Sequence, residues 1–259
     1  MKYRIQAALV FLAFLAMMVI PFALWPARAT IWGALALLIY IVLAACASLD
    51  AMESVCGLIW PPSPLPEVVS TIGASRVAVV MTICDDACSQ SLEALAEFAR
   101  AGFDIYVLDD SQVPVSLPFD LAVGHHLKRE NRQGAKAGHL NRWLSCHGYR
   151  YDFVLLLDAD SVVSVDALAH MIAASEHPEN NDVAVFQAKV KSNDNRTSVF
   201  AKALGVGTLP RACVLERVHS RLGMLLSFGH NQLLRVSALQ EVGGFDEHLA
   251  AEDTALSFS

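Results

Sequence analysis

Two long apolar stretches lie at the start of the chain. Residues 5–25 and residues 31–49 contain no charged side chain. At a rise of about 1.5 Å per residue, a helix over either stretch would cross a hydrocarbon core of about 30 Å. The short connection 26–30 predicts an antiparallel transmembrane hairpin. A cleaved signal peptide is the alternative for the first stretch, but the apolar region of a signal peptide is shorter than this stretch, at about 7–15 residues.

A different pattern begins near residue 76, where short apolar runs rich in β-branched residues alternate with segments of helical period. The apolar runs predict strands at 76–83, 104–108, 121–123, 152–157 and 183–189. The helical periods predict helices at 89–101, 136–147 and 165–176. This alternation is typical of an α/β fold in which a mostly parallel sheet carries helices on both faces.

Four prolines within residues 61–66 separate the two patterns. They exclude a helix and favour an extended spacer. The sequence therefore predicts two transmembrane helices in residues 1–50, a proline-rich linker at 51–75 and an α/β domain over 76–259.

The composition agrees with a membrane protein that carries an acidic domain. Hydrophobic residues make up 54% of the chain and charged residues 17%, against about a quarter in ordinary soluble domains. Beyond residue 60 the acidic residues outnumber the basic ones by eight. An acidic domain is poorly suited to follow a phosphate backbone, so we expect no nucleic acid partner.

Basic residues and cysteines indicate the orientation. Lys2 and Arg4 flank the first apolar stretch, and Arg28 is the one charge between the two stretches. The positive-inside rule then places the N-terminus, and after two crossings the α/β domain, in the cytoplasm. The six cysteines show no disulfide spacing, which suits a reducing compartment. We expect a multi-pass protein of the cell (inner or plasma) membrane with a cytoplasmic domain.

Acidic residues follow three of the predicted strands. They are Asp85 with Asp86, Asp109 with Asp110, and Asp158 with Asp160. Ligands of parallel sheets bind beyond the carboxyl ends of the strands, and gathered carboxylates there need a cation. Oxygen ligands suit Mg²⁺ or Mn²⁺ held together with substrate phosphates.

Structural roles for some of these residues remain alternatives. The pair at 85–86 could cap the helix that begins near Ser89. Cys84 and Cys88 lack a second Cys or His pair at a recognisable spacing, which argues against a zinc site. His125 and His126 are interpreted as loop residues.

Five motifs, taken together and in this order, resemble glycosyltransferase family 2. The resemblance is to its processive membrane branch, the cellulose synthase-like and glucan glucosyltransferase-like proteins, and covers about residues 76–259. The motifs are Val107–Ser111, Arg132–Asn141, Leu157–Ser161, Gly229–Arg235, and Gly243–Phe245 followed by Glu252–Asp253.

The resemblance implies a GT-A-like fold and a divalent cation, Mg²⁺ or Mn²⁺. It also implies a nucleotide-diphosphate sugar as donor, with a UDP-sugar as the expected one. It implies that Asp253 is the general base and that Asp158 and Asp160 hold the metal. The implied donor-binding residues are Asp85, Asp109, Asp110, Lys136 and Asp158. The residues expected in the acceptor or sugar pocket are His230, Asn231 and Glu252.

The expected function is inverting, metal-dependent transfer of a sugar to a growing polysaccharide by a membrane-anchored enzyme. The family's Gln-x-x-Arg-Trp motif and further membrane helices do not follow Asp253, so we expect a C-terminally truncated chain. Two alternatives remain open. One is a non-catalytic fragment or subunit that binds a nucleotide sugar beside a membrane partner. The other is transfer to a polyprenyl-phosphate lipid, as in dolichol-phosphate sugar synthases.

Overall fold

The computed structural model divides the chain into two compact units. The first contains Met1–Pro64 and Lys191–Leu226, and the second contains Leu65–Val190 and Ser227–Ser259. The predicted domain 76–259 therefore differs from the second unit, because residues 191–226 group with the N-terminal helices. The structure describes residues 2–24, 30–61, 75–117, 124–190, 199, 213–223 and 227–249.

The first unit contains two long apolar helices, α1 (Lys2–Ala23) and α2 (Ile31–Ile59). Their contacts join the start of one to the end of the other, so they run antiparallel. The Tyr40 hydroxyl donates to the Met18 carbonyl at 3.1 Å, and the rings of Tyr3 and Trp60 pack edge to face at 4.9 Å. By length and composition both helices could cross a membrane, as predicted.

Helix α2 is longer than the predicted stretch 31–49. It continues through Asp50 and Glu53 and ends at Ile59. Its 29 residues span about 43 Å, more than the roughly 30 Å of a hydrocarbon core. The first charge within α2, Asp50, therefore does not mark the end of the helix.

A further helix, α6 (residues 213–222), packs on this end of α2. Val218 is fully buried in a cluster with Met52, Cys56 and Trp60. Arg217 donates to the Gly57 carbonyl at 2.8 Å. These contacts explain why the predicted linker residues 51–59 are helical.

A six-stranded sheet organises the second unit. Its strands are β1 (Val77–Ile83), β2 (Asp104–Asp109), β3 (Gly124–Lys128), β4 (Phe153–Asp158), β5 (Val185–Gln187) and β6 (Gln232–Arg235). The order across the sheet is β3-β2-β1-β4-β6-β5. Strands β1 to β4 are parallel, and β6 runs antiparallel to β4 and β5.

Helices cover both faces of this sheet, as predicted. They are α3 (Ser89–Arg100), α4 (Ala135–His147), α5 (Val165–Ser175) and the short α7 (Val236–Glu241). Alternate residues of β1 point to opposite faces. Val79 and Met81 pack with α3 and α5, whereas Ala78 and Val80 pack with α4.

Two strands differ from the sequence prediction. His125 and His126 lie in β3, not in a loop, because this short edge strand pairs with β2 although it has no apolar run. The motif at 229–235 contains β6, which was not predicted as a strand. The strand predicted at 121–123 lies outside the described residues.

Candidate active site

The candidate site lies at the carboxyl ends of β1, β2 and β4. Strand β1 pairs with β2 on one side and with β4 on the other, so the connections after β1 and β4 diverge at this point. Such a switch in strand order is where α/β sheets bind ligands. In register, Thr82 stands opposite Asp158, and Ile83 opposite Asp109.

Lys136 and Asp158 form the centre of the site. The Lys136 ammonium lies 2.7 Å from Asp158 Oδ1, and the two side chains are 28% and 34% exposed. Lys136 also donates to the Gly229 carbonyl at 3.2 Å, and the Thr82 hydroxyl donates to Asp158 at 3.4 Å. Helix α4, the end of β4 and the segment before β6 therefore meet at one partly open ion pair.

The turn after β4 carries the second carboxylate of the predicted metal pair. Asp160 is exposed. The turn is closed by the Ser161 amide, which donates to the Asp158 carbonyl at 2.9 Å. Ser161 Oγ accepts from the Asp158 amide at 3.2 Å and lies 3.2 Å from His230 Nδ1.

The described residues contain no group of three or more His, Cys, Asp or Glu side chains that could enclose a metal ion. Asp158 and Asp160 do fit a different kind of site. Mg²⁺ in proteins is commonly held by one or two carboxylates together with substrate phosphates. The two side chains therefore suit a cation that arrives with a diphosphate. Cys84 and Cys88 belong to no such group.

Asp109 lies inside the protein. It is fully buried, accepts from the Ser111 amide at 2.7 Å, and lies 2.7 Å from His126 Nε2. Burial would raise the pKa of Asp109, but the hydrogen bonds from Ser111 and His126 hold it below its usual value. Its carboxylate is thus occupied by neighbours, and its predicted contact with a nucleotide stays a prediction.

Asp110 is also nearly buried and paired. The Arg129 guanidinium donates to both of its oxygens, at 2.7 and 2.6 Å, and His139 Nδ1 lies 3.1 Å away. Burial would raise the pKa of Asp110, but Arg129 outweighs it and keeps the carboxylate ionised. Burial lowers the pKa of His139.

Asp85 connects two loops of the site. Its Oδ1 accepts from the amides of Gln112 and Val113 at 2.9 and 3.0 Å, and its own amide donates to Ser111 Oγ at 2.9 Å. The hydrogen bonds from Val113 and Gln112 lower the pKa of Asp85. The alternative that Asp85 and Asp86 cap the helix near Ser89 is wrong, because α3 begins after Cys88 without a side-chain cap.

The predicted acceptor residues His230 and Asn231 lie directly before β6. Asn231 has a left-handed backbone, with φ of 54°. Its backbone N–H donates to the Leu156 carbonyl at 2.8 Å. The Gln187 side chain donates to the His230 carbonyl at 3.0 Å. These bonds place His230 beside Ser161 of the β4 turn. Glu252 and Asp253 lie outside the described residues.

Asn141 is a positioning residue that the motifs did not single out by role. Its side-chain Nδ2 donates to the Phe245 carbonyl and to Glu247 Oε1, both at 2.8 Å. Its side-chain Oδ1 accepts from the Phe245 backbone N–H at 2.8 Å. A methyl group on Gly244 would overlap the Asn141 oxygen. Asn141 and Gly244 together hold the segment that continues to Glu252 and Asp253.

We expect Gly244→Ala to destabilise the protein by more than Gly243→Ala. Both glycines have left-handed backbones, with φ of 91° and 84°, so alanine at either costs about 1–2 kcal/mol. A methyl group at 243 meets nothing within 4 Å, whereas one at 244 adds overpacking of about 1–3 kcal/mol. Tryptophan fluorescence during urea unfolding measures both losses, in a full chain whose other three tryptophans are replaced by phenylalanine so that buried Trp143 gives the signal. Equal losses of unfolding free energy in the two variants would show that the close contact between Gly244 and Asn141 does not stabilise the protein.

The chain is similar in sequence to known glycosyl transferases. Residues 153–259 match the family model described as glycosyl transferase family group 2. A glucans biosynthesis glucosyltransferase H of Rhodopseudomonas palustris is 29% identical over 191 residues, which is 66% of this chain and 26% of that protein. Its counterpart in Xylella fastidiosa is 28% identical over 220 residues, 71% of this chain and 31% of that protein.

The same name belongs to a relative in Salmonella typhimurium, 26% identical over 194 residues, 64% of this chain and 22% of that protein. The chain thus spans less than a third of the length of these curated relatives.

Proposed function

We propose that this chain, which carries a glycosyltransferase family 2 domain, transfers a glycosyl residue from a nucleotide-diphosphate sugar to a growing glucan. The observation that supports this most strongly is the Lys136–Asp158 pair, which lies beside exposed Asp160 at the switch point of the sheet. A diphosphate leaving group needs positive charge at such a place. The relatives are named as glucan-building glucosyltransferases, which favours UDP-glucose as the first donor to test.

Donor binding is the first task of the proposed site. The Lys136 ammonium would turn from Asp158 towards the diphosphate oxygens. Asp158 and Asp160 would hold a Mg²⁺ or Mn²⁺ ion, which when bound neutralises charge on the leaving diphosphate. Asp85 and Asp110 support the loops and the helix start around this position. Asp109 supports them from inside the protein.

Transfer is proposed to proceed with inversion, as a direct displacement. Asp253 removes the proton from the acceptor hydroxyl, whose oxygen forms the new bond to the anomeric carbon. The bond from that carbon to the diphosphate oxygen breaks, and its electron pair leaves with the nucleotide diphosphate. His230, Asn231 and Glu252 are proposed to contact the acceptor sugar.

The two apolar helices are proposed to anchor the domain at the inner face of the cell membrane. The basic residues Lys2 and Arg4 in the first turn of α1 favour this orientation. It would place the site where nucleotide sugars are made and beside partner subunits or lipids in the same bilayer.

Radiolabelled UDP-glucose tests the proposal with membranes that contain the full chain and Mn²⁺. We expect label in a polymer that a glucanase digests, and none with Lys136→Ala. Label in the lipid extract would replace the polysaccharide acceptor by a lipid carrier. Binding of UDP without any transfer would support the non-catalytic alternative, and absence of both would refute the proposal.

Asp160→Asn is expected to remove the metal dependence of UDP binding. Asp160 is exposed and its proposed role is confined to the cation, so the variant should bind UDP in Mn²⁺ as weakly as the unchanged chain does in EDTA. Calorimetry with the purified full chain measures both. Asp182→Asn, another exposed carboxylate of the second unit, is the matched control. Unchanged affinity in Asp160→Asn would contradict the metal assignment.

A further inference from the structure

Arg129 connects the end of β2 to the backbone that precedes Lys136. Its side chain is 5% exposed and lies against Asp110, which is 9% exposed. Two of its nitrogens donate to the Asp110 carboxylate at 2.7 and 2.6 Å. The guanidinium also donates to the Gln133 carbonyl at 2.9 Å and to the Ala135 carbonyl. One buried group therefore bridges a strand end and the start of α4.

The backbone that Arg129 holds is conformationally unfavourable. Gly134 and Ala135 both have left-handed φ angles, 70° and 45°. The angle costs glycine little, but a residue with a Cβ pays about 1–3 kcal/mol and keeps it only where the surroundings enforce it. The bond from Arg129 to the Ala135 carbonyl acts directly on this residue. Lys136 is the next residue along the chain.

Gly138 shows how closely this segment is folded. A methyl group there would overlap the Gln133 carbonyl oxygen and would lie 3.2 Å from Arg129 Nη1. The Gly138 amide donates to the Gly134 carbonyl at 2.8 Å. The absence of a side chain at 138 therefore lets the loop fold back beside Arg129.

We infer that Arg129, held by Asp110, is a positioning residue that sets the place of the Lys136 ammonium for the diphosphate of the donor. This inference rests on the proposed function and deepens it. Asp110 then acts through Arg129, in place of the direct nucleotide contact that the family resemblance implies. A guanidinium suits this task because its five N–H donors lie in a rigid planar fork, which pairs with both oxygens of the Asp110 carboxylate and still reaches the Gln133 carbonyl.

Binding of two probes distinguishes positioning from direct contact. UDP and inorganic pyrophosphate, each with Mg²⁺, are titrated into the full chain by calorimetry. We expect Arg129→Ala to weaken both about tenfold or more, and Asp110→Asn to weaken both severalfold. Arg129→Lys should be intermediate. Arg142→Ala, an exposed arginine on α4, should change neither and is the control.

Two results would overturn the inference. If Asp110→Asn weakens UDP but not pyrophosphate, Asp110 contacts the nucleoside directly. If Asp110→Asn tightens both probes while Arg129→Ala weakens them, Arg129 is itself a diphosphate ligand that Asp110 restrains.

A measurement without nucleotide keeps the inference testable even if the proposed function fails. The rate at which an amine-reactive activated ester acylates Lys136 is followed by mass spectrometry. Exposed Lys189 serves as the internal reference. Release of the segment should expose Lys136, so we expect a severalfold faster reaction in Arg129→Ala and Asp110→Asn, and no change in Arg142→Ala. An unchanged Lys136 rate in all variants would refute the positioning role. If Arg129→Ala fails to fold, Arg129→Lys and Asp110→Asn decide the question.

Discussion

The Asp158→Asn variant is expected to lose sugar transfer by about a hundredfold or more and to bind UDP weakly with or without Mn²⁺. Asp158 is the partner of Lys136 at 2.7 Å and is also a proposed ligand of the cation. Its replacement therefore removes one of the two carboxylates that would hold the metal ion. Loss of one preorganised group that stabilises developing charge costs about 10²–10³ in rate in other enzymes.

A double-mutant cycle tests whether Asp158 and Lys136 act together on the diphosphate. Lys136→Ala, Asp158→Asn and the double variant are compared for transfer and for UDP affinity. Because both side chains serve the same diphosphate, the double variant should lose little more than the worse single variant. Asp182→Asn controls for the loss of a surface carboxylate. Losses that simply multiply would show that Lys136 and Asp158 act independently.

The arrangement of the sheet could be predicted from the sequence because apolar runs and helical periods report burial directly. The run Phe153–Leu157 becomes the centre of β4, and the helical period at 136–147 becomes α4. The acidic pairs were predicted to gather at one edge, since parallel strands bring their carboxyl ends together. Asp158, at the end of β4, and Lys136, at the start of α4, meet at that edge although 22 residues separate them in the sequence.

The partners of the buried aspartates could not be predicted in the same way. His126 and Arg129 reach Asp109 and Asp110 because β3 pairs with β2. Strand β3 has the sequence Gly-His-His-Leu-Lys and no apolar run, so no periodicity marks it. Without β3, two strand-end aspartates look exposed and ready for a ligand. The structure instead buries them against a histidine and an arginine.

The end of α2 shows a second limit of pattern reading. Asp50 and Glu53 interrupt the apolar stretch, but α2 continues to Ile59. Its continuation has tertiary partners, since His219 of α6 lies 3.1 Å from Glu53 and Gly57 leaves room for Val214. Contacts with a segment some 160 residues later in the chain leave no local signal in residues 50–59.

Replacing the proposed base, Asp253→Asn, should reduce transfer by about 10²–10⁴-fold, the usual contribution of general acid–base catalysis. UDP binding should be unchanged, because the proposed donor site uses Lys136 and Asp158. Asp253 lies four residues after Leu249, where the described segment held by Asn141 ends. The loss should therefore appear in kcat with little change in the KM for the donor.

Asp246→Asn provides the control for Asp253→Asn, because Asp246 is exposed and its oxygen accepts only a local hydrogen bond, at 2.8 Å, from the His248 amide among the described contacts. It should keep both transfer and UDP binding. Transfer retained by Asp253→Asn would mean that another group takes the acceptor proton. A joint loss of transfer and UDP affinity would move Asp253 to the donor site, since a base that meets only the acceptor hydroxyl does not hold the nucleotide.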